Sequence, residues 1–166
     1  MKVKRIQIQL EEYSGGEPLP DKDEKLLATA HRAINSSYAP YSGFHVGAAV
    51  YLSNGKVVTG SNQENAAYPS GLCAERVALF HAQSAYPDVV VEAIAISAGA
   101  DNFKVDYPIT PCGACRQVIA EIQSRQKQKV RIIMHGQNGI TQVVNGIENL
   151  LPLMFKEEKL KRSKKS

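Results

Sequence analysis

What this chain lacks narrows it first. No apolar run approaches the ~20 residues that a membrane-spanning helix needs, so no membrane partner is expected. The start, Met1-Lys2-Val3-Lys4-Arg5, is basic. It then alternates, Ile6-Gln7-Ile8-Gln9-Leu10, without the continuous apolar stretch of a secretory leader. A reducing cytoplasm is the location this predicts. Cysteine is scarce, with three residues in 166. In a reducing compartment these read as metal ligands rather than disulfides. Internal repeats and low-complexity linkers are absent, and the length suits one domain with a proper core.

The body also lacks any charge excess. The net charge is +4, and residues Lys156 to Ser166, with six Lys/Arg and two Glu, account for all of it. A basic stretch can bind nucleic acid by releasing counterions from phosphates. Here the rest of the chain is balanced and carries no nucleic-acid-binding motif. The stretch therefore reads as a solvated, disordered tail, and no nucleic-acid partner is expected.

The pattern of what is present alternates between helix and strand. Residues 14–20 are a turn-rich break, and the ten or so residues at the start leave two options, an edge strand or a mobile arm. Asp21 or Asp23 would cap a helix with Leu26, Leu27, Ala30, Ala33 and Ile34 on one face. Val46 to Leu52 and Lys56 to Gly60 form a hairpin across Ser53-Asn54-Gly55. A second helix runs from Cys73 to about Ala85, with Val77, Ala78, Phe80 and Ala82 turned inward. Val90 to Ser97 is apolar on both faces apart from Glu92, as an inner strand should be. Residues 99–109 are a loop. A third helix begins at Cys112, and Val130 to Met134 and Ile140 to Val144 are the last strands. Such alternation indicates an α/β layered sheet.

Two stretches carry the chemistry: Cys73-Ala74-Glu75-Arg76 and Pro111-Cys112-Gly113-Ala114-Cys115-Arg116. Cys112-x-x-Cys115 puts two sulfurs on one helical turn. Alone, that pair would read as a redox couple or half a structural zinc site. With Cys73 there are three thiolates and no fourth to close a Cys₄ site. The four histidines, His31, His45, His81 and His135, stand in no zinc-ligand pattern with them and read as core or surface residues. Three protein ligands leave a zinc position open for water, which is the pattern of a catalytic site. Glu75, two residues after Cys73, can approach the metal without binding it. It can take a proton from water and return it to a leaving group. Arg76 can donate to a ligand sulfur and offset the net −1 of Zn²⁺ with three thiolates. Arg116 has a weaker claim to the same role.

These two motifs resemble the zinc-dependent cytidine deaminase family, whose signature is a His/Cys/Cys or Cys₃ zinc with a non-ligand Glu beside it. Cys73, where nucleic-acid and nucleotide deaminases usually have histidine, resembles the homotetrameric free-nucleoside type. The resemblance spans about Asp23 to Phe155. It covers Tyr38-Ala39-Pro40-Tyr41-Ser42, Phe44-His45-Val46-Gly47-Ala48-Ala49, Asn62-Gln63-Glu64-Asn65-Ala66 and Leu150-Leu151-Pro152-x-x-Phe155. It implies a three-layer α/β/α sandwich on a mixed sheet of about five strands. The domain would be residues 21–155, between an N-terminal extension 1–20 and the tail 156–166.

The resemblance further implies one zinc per chain, held by Cys73, Cys112 and Cys115. Phe44 would stack on the pyrimidine, with Asn62 and Glu64 binding the ribose hydroxyls. The Ala74 amide and the carbonyl near Thr110 would contact the C4 substituents. Phe155 would cap a neighbouring subunit's pocket in a homotetramer. The reaction implied is hydrolysis of cytidine and 2'-deoxycytidine to uridine and 2'-deoxyuridine, with ammonia released, in pyrimidine salvage. Two other readings compete with this one. One is deamination of a blasticidin-type aminonucleoside, against which Asn62 and Glu64 argue. The other is a zinc-stabilised nucleic-acid-binding module, against which Glu75 and the incomplete ligand set argue.

Overall fold

The hairpin turn at Ser53-Asn54-Gly55 forms as its residues dictate, with Gly55 at φ +81°. It joins β2 (Phe44–Leu52) to β3 (Val57–Ser61). This is a computed structural model, and it describes residues 1–137 and 139–156. The tail expected from 156 onward therefore lies, after Lys156, outside the described residues.

Among the described residues six strands make one mixed sheet. Besides β2 and β3 they are β1 (Glu11–Tyr13), β4 (Val91–Ala100), β5 (Arg131–His135) and β6 (Thr141–Asn145), in the order β1-β6-β5-β4-β2-β3. β4 and β5 are parallel and every other pair is antiparallel. The sequence pattern leads to about five strands. The sixth is β1, paired with β6 through Glu11–Val143, Glu12–Gln142 and Tyr13–Thr141. A three-residue strand is too short for alternation to reveal it. The edge strand also falls just after the alternating stretch that would have been chosen for it.

Helix α1 (Asp21–Ala33) covers one face of the sheet. Its Leu26, Leu27 and Ala30 pack on Ala49, Ala93, Ala95, Ile133 and Val143. Helices α2 (Ala74–Ala85) and α3 (Gly113–Gln126) cover the other, over Ala48, Val50, Ile94, Ile96, Ile132 and Met134. This is the α/β/α sandwich. β4, between the layers, is buried on both sides along Val91 and Ala93 to Ala98, with Glu92 exposed. It continues to Ala100, so residues 99 and 100 belong to the sheet rather than to the loop expected there.

Two sequence expectations shift in detail. Neither Asp21 nor Asp23 caps α1. The cap position is Pro20, and Asp23 is buried, accepting from Arg131 (Nε–Oδ2 2.8 Å). On α2 the inward face is Ala74, Ala78, Leu79 and Ala82, while Phe80 is 49% exposed. The helical phase is set by the small residues that approach β3, and it turns Phe80 outward.

That approach is close. A Cβ on Gly60 of β3 would lie 2.5 Å from the Ala78 amide nitrogen and 2.7 Å from the Ala74 carbonyl oxygen. Only glycine lets the start of α2 sit this near the sheet. Gly60→Ala is expected to cost roughly 1–3 kcal/mol, because backbone must move to admit the methyl. Urea unfolding would read the loss, and an unchanged midpoint would contradict the packing.

Arg131 also donates to Glu11 (Nη2–Oε2 3.0 Å), tying β1 to β5 across β6. That hydrogen bond holds the Glu11 carboxyl below its ordinary range. A depressed folded pKa gives stability that is complete above the usual carboxylate value of ~4.3 and is lost as pH falls through the folded one. The pair is half exposed, so its contribution is small. Glu11→Gln is expected to lower the urea midpoint slightly at pH 7 and by less at pH 3. An equal loss at both pH values would break the link.

Candidate metal centre

Cys73 and Cys112 occupy matching positions, each the residue just before a helix, α2 and α3 respectively. Each helix starts there for the same reason. The cysteine backbone is extended, and its carbonyl accepts the first helical hydrogen bonds, from Arg76 and Val77 in one case and Arg116 in the other. The positive ends of two helix dipoles therefore meet at the sulfurs and favour thiolate. Cys115, one turn into α3, is fully buried and faces the same point.

The three sulfurs lie within 4.8 Å of one another, with Cys73–Cys112 at 3.8 Å and Cys112–Cys115 at 3.5 Å. Zinc–sulfur bonds of about 2.3 Å in a tetrahedron place sulfurs about 3.8 Å apart. The donor set thus fits a zinc ion with three of its four positions filled from the chain. Hydrogen bonding from Cys115, then from Arg76 and Cys112, pulls the Cys73 thiol down to about 5 against the effect of burial. The same contact with Cys73 pushes Cys115 upward.

Arg76 donates to the Cys73 sulfur (Nη2–Sγ 3.7 Å), the contact its sequence position suggests. Arg116 does something else. It donates to the Pro111 carbonyl (2.7 Å), the Leu150 carbonyl (2.8 Å) and the Thr110 hydroxyl (3.3 Å). It clamps the loop that delivers Cys112 against the segment after β6. The Leu150 carbonyl could not be found from sequence, because it is 34 residues away.

Glu75 is only 5% exposed. Burial is the main cause that raises its carboxyl above the ordinary range, and the neighbouring Cys73 adds to it. Together with Cys73 and Cys112 it lines a cavity of about 610 Å³, whose walls include Phe44, Asn62, Glu64, Ile109 and Thr110. The sequence-predicted residues of four separate stretches, at Phe44, at Asn62 and Glu64, at Cys73 and Glu75, and at Cys112, thus share one cavity. Ala74 is buried behind it as the first residue of α2. Phe155 is absent from the lining and is 60% exposed.

The residues expected to bind a substrate have partners the sequence did not suggest. Asn62 accepts from the Val46 amide (2.7 Å) and donates to the Phe44 carbonyl (2.8 Å), holding the start of β2 in place. Glu64 accepts from the Ser42 hydroxyl and from the amides of Tyr41 (2.9 Å) and Ser42 (3.3 Å). The Ser42 hydroxyl is the main cause that lowers the Glu64 carboxyl, which is thereby kept ionised. Phe44 stacks on Phe103, with ring centroids 6.1 Å apart and planes 5° from parallel. Tyr41, Tyr68 and Leu72 also line the cavity. Tyr41 lies in one of the stretches that carry the family resemblance, whereas Tyr68 and Leu72 are new, because an aromatic or leucine in a loop carries no signal of its own.

Residues 20–140 match the cytidine and deoxycytidylate deaminase zinc-binding region. The chain belongs to that family. Among curated relatives, a cytidine deaminase of Halalkalibacterium halodurans is 44% identical over 99 residues, which is 60% of this chain and 70% of that protein. One of Sporosarcina psychrophila is 47% identical over 98 residues, 59% and 68% of the two chains. Among solved structures, the cytidine deaminase of Burkholderia pseudomallei superposes with a TM-score of 0.68 at 38% identity. The match covers 80% of this chain and 98% of that one. The Mycobacterium tuberculosis enzyme gives 0.61 at 30%, over 80% and 96%. Zinc is the metal that the family and the three-sulfur cluster agree on. Among the described residues no helix is long and apolar enough to cross a membrane.

Proposed function

We propose that the protein hydrolyses cytidine and 2'-deoxycytidine to uridine and 2'-deoxyuridine, releasing ammonia. The observation that carries this is the buried carboxylate of Glu75 beside Cys73 and Cys112, in a cavity sized for a nucleoside and lined by Phe44, Asn62 and Glu64. Kinship with cytidine deaminases supports the substrate class.

In this reading Cys73, Cys112 and Cys115 hold one Zn²⁺. When bound, the ion supplies Lewis acidity, the effect that lowers the pKa of water from ~15.7 to ~7 in zinc hydrolases. Glu75 takes a proton from the attacking water and delivers it to ring N3. The oxygen bonds to C4, which becomes tetrahedral. Glu75 then takes the remaining proton from that oxygen and passes it to the amino group, the C4–N bond breaks, the C4 carbonyl forms and ammonia leaves. Water in and ammonia out balance the reaction. Arg76 offsets the negative charge of the thiolates, and the Ala74 amide and the carbonyl near Thr110 orient the C4 substituents. Phe44 stacks on the pyrimidine.

Glu64, held ionised by Ser42 and Tyr41, accepts from the ribose hydroxyls. Asn62 contributes with the hydrogen-bonding capacity left after its two backbone bonds. The catalytic unit is residues 21–155, assembled as a homotetramer in which Phe155 caps a neighbour's pocket. Exposure of Phe155 on the outside of its own chain agrees with that role. A cytoplasmic location suits a site built on free thiols.

Zinc-loaded protein is expected to bleach the cytidine absorbance and release one ammonia per turnover. Side-by-side assay with deoxycytidine, dCMP, blasticidin S and single-stranded DNA decides the substrate class. No turnover of either nucleoside by zinc-replete protein would refute the proposal.

A further inference from the structure

Among the described residues β1 is the outermost strand of the sheet and has a neighbour, β6, on one side only. The residues leading into it have no ladder partner among the described residues. Yet they alternate like a half-buried strand, and the apolar members stand in solvent: Ile6 is 55%, Ile8 59% and Leu10 46% exposed. An open edge with such a pattern is a template for another strand.

The stretch is complementary to itself when run backwards. Counted outward from Ile8, Gln7 matches Gln9 and Ile6 matches Leu10. Next, Arg5 matches Glu11, Lys4 matches Glu12, and Val3 matches Tyr13. Polar faces polar, apolar faces apolar, and each cation faces an anion. An antiparallel pair about a two-fold axis at Ile8 would contain every one of these pairs twice.

The backbone orientation agrees. The Gln9 amide is turned inward, donating to Asn149 Oδ1 (2.9 Å) beyond the end of β6. Amides alternate sides along an extended chain. With residues 6–10 extended in line with β1, those of Ile6, Ile8 and Leu10 would turn to the open edge, and they are the set that hydrogen-bonds when Ile8 faces itself. The charges agree as well. Arg131 is shared by Glu11 and Asp23, two carboxylates on one guanidinium, which leaves a negative charge beside Glu11 for a second cation to meet.

We propose that residues 3–13 are an interaction strand whose partner is the same strand of a second copy of this chain, paired antiparallel about Ile8. The two sheets then run on as one through β1. This contact is separate from the neighbour contact assigned to Phe155.

The test is site-specific cross-linking in the zinc-loaded full chain, under mild oxidation, read on a denaturing non-reducing gel. Residues directly opposite in a hydrogen-bonded pair have Cα atoms about 5.5 Å apart, inside the ~4.4–6.8 Å span of a disulfide. Ile8→Cys is expected to give a covalent dimer. Ile6→Cys would stand four residues, about 14 Å, from its own counterpart and is expected to cross-link about tenfold less. Mixed with Leu10→Cys, it should form the heterodimer. Adding Arg5→Glu to Ile8→Cys should cut the yield about tenfold, since two attractions become repulsions.

Wild-type protein measures the background from the native thiols, and an unchanged melting temperature shows that each variant is folded. Cross-linking centred on another residue would overturn the proposal. So would equal yields from Ile6→Cys and Ile8→Cys, or folded Ile8→Cys that stays single-chain because its arm lies against its own sheet.

Discussion

Glu75→Gln is expected to keep a full complement of zinc and to lose about 10²- to 10⁴-fold in kcat, the usual worth of a positioned general acid–base group. Glutamine fills the same space, so the buried site, 5% exposed in the native chain, is not hollowed out. What it loses is the ability to accept and return a proton. In the proposed role Glu75 would do both, helped by burial, which raises its carboxyl above the ordinary range. Glu75→Ala should lose as much activity while also opening a cavity. Zinc content measured alongside steady-state kinetics separates the outcomes. A zinc-replete Glu75→Gln protein that turned over cytidine at the native rate would remove Glu75 from the mechanism.

Cys115→Ala is expected to weaken zinc binding by at least ~100-fold, since it removes a donor directly where even an outer hydrogen-bond partner is worth 10- to 100-fold. Deaminase activity should fall below detection with it. The fold should survive, because two apolar clusters, one on each face of the sheet, do not involve the metal. Its melting temperature should no longer rise when zinc is added, since binding to the native state alone is what stabilises. Metal analysis and a melting curve with and without zinc read both effects. Full zinc retention together with native turnover would show that Cys115 is not a ligand.

Much of this molecule is legible from local pattern. The helices starting at Cys73 and Cys112, the hairpin at Ser53-Asn54-Gly55 and the doubly buried β4 all rest on near-neighbour spacing and turn chemistry. They stand within a few residues of the expected places. The misreadings share one cause. Phe80 faces out because Ala74 and Ala78 must reach Gly60 of β3, a residue 14 positions before the helix begins. Pattern alone leaves the start of the chain open between an edge strand and a mobile arm, because three residues are a strand only when β6 lies beside them. Asp23 looked like a cap and is instead the buried partner of Arg131, 108 residues away.

The metal centre divides along the same line. The sequence by itself determined the donor chemistry: three thiolates, no fourth, a carboxylate two residues from the first, and an arginine after it. These depend on residue type and on spacing within one helical turn, which the chain enforces without help. The tertiary structure alone decided that Cys73 and Cys112, 39 residues apart, bring their sulfurs to 3.8 Å. It also decided that Arg116 holds the Pro111–Cys112 loop rather than a sulfur, and that Asn62 supports Phe44. Those arrangements arise because α2 and α3 pack on the same face of one sheet, and side-by-side packing has no local signature in the chain.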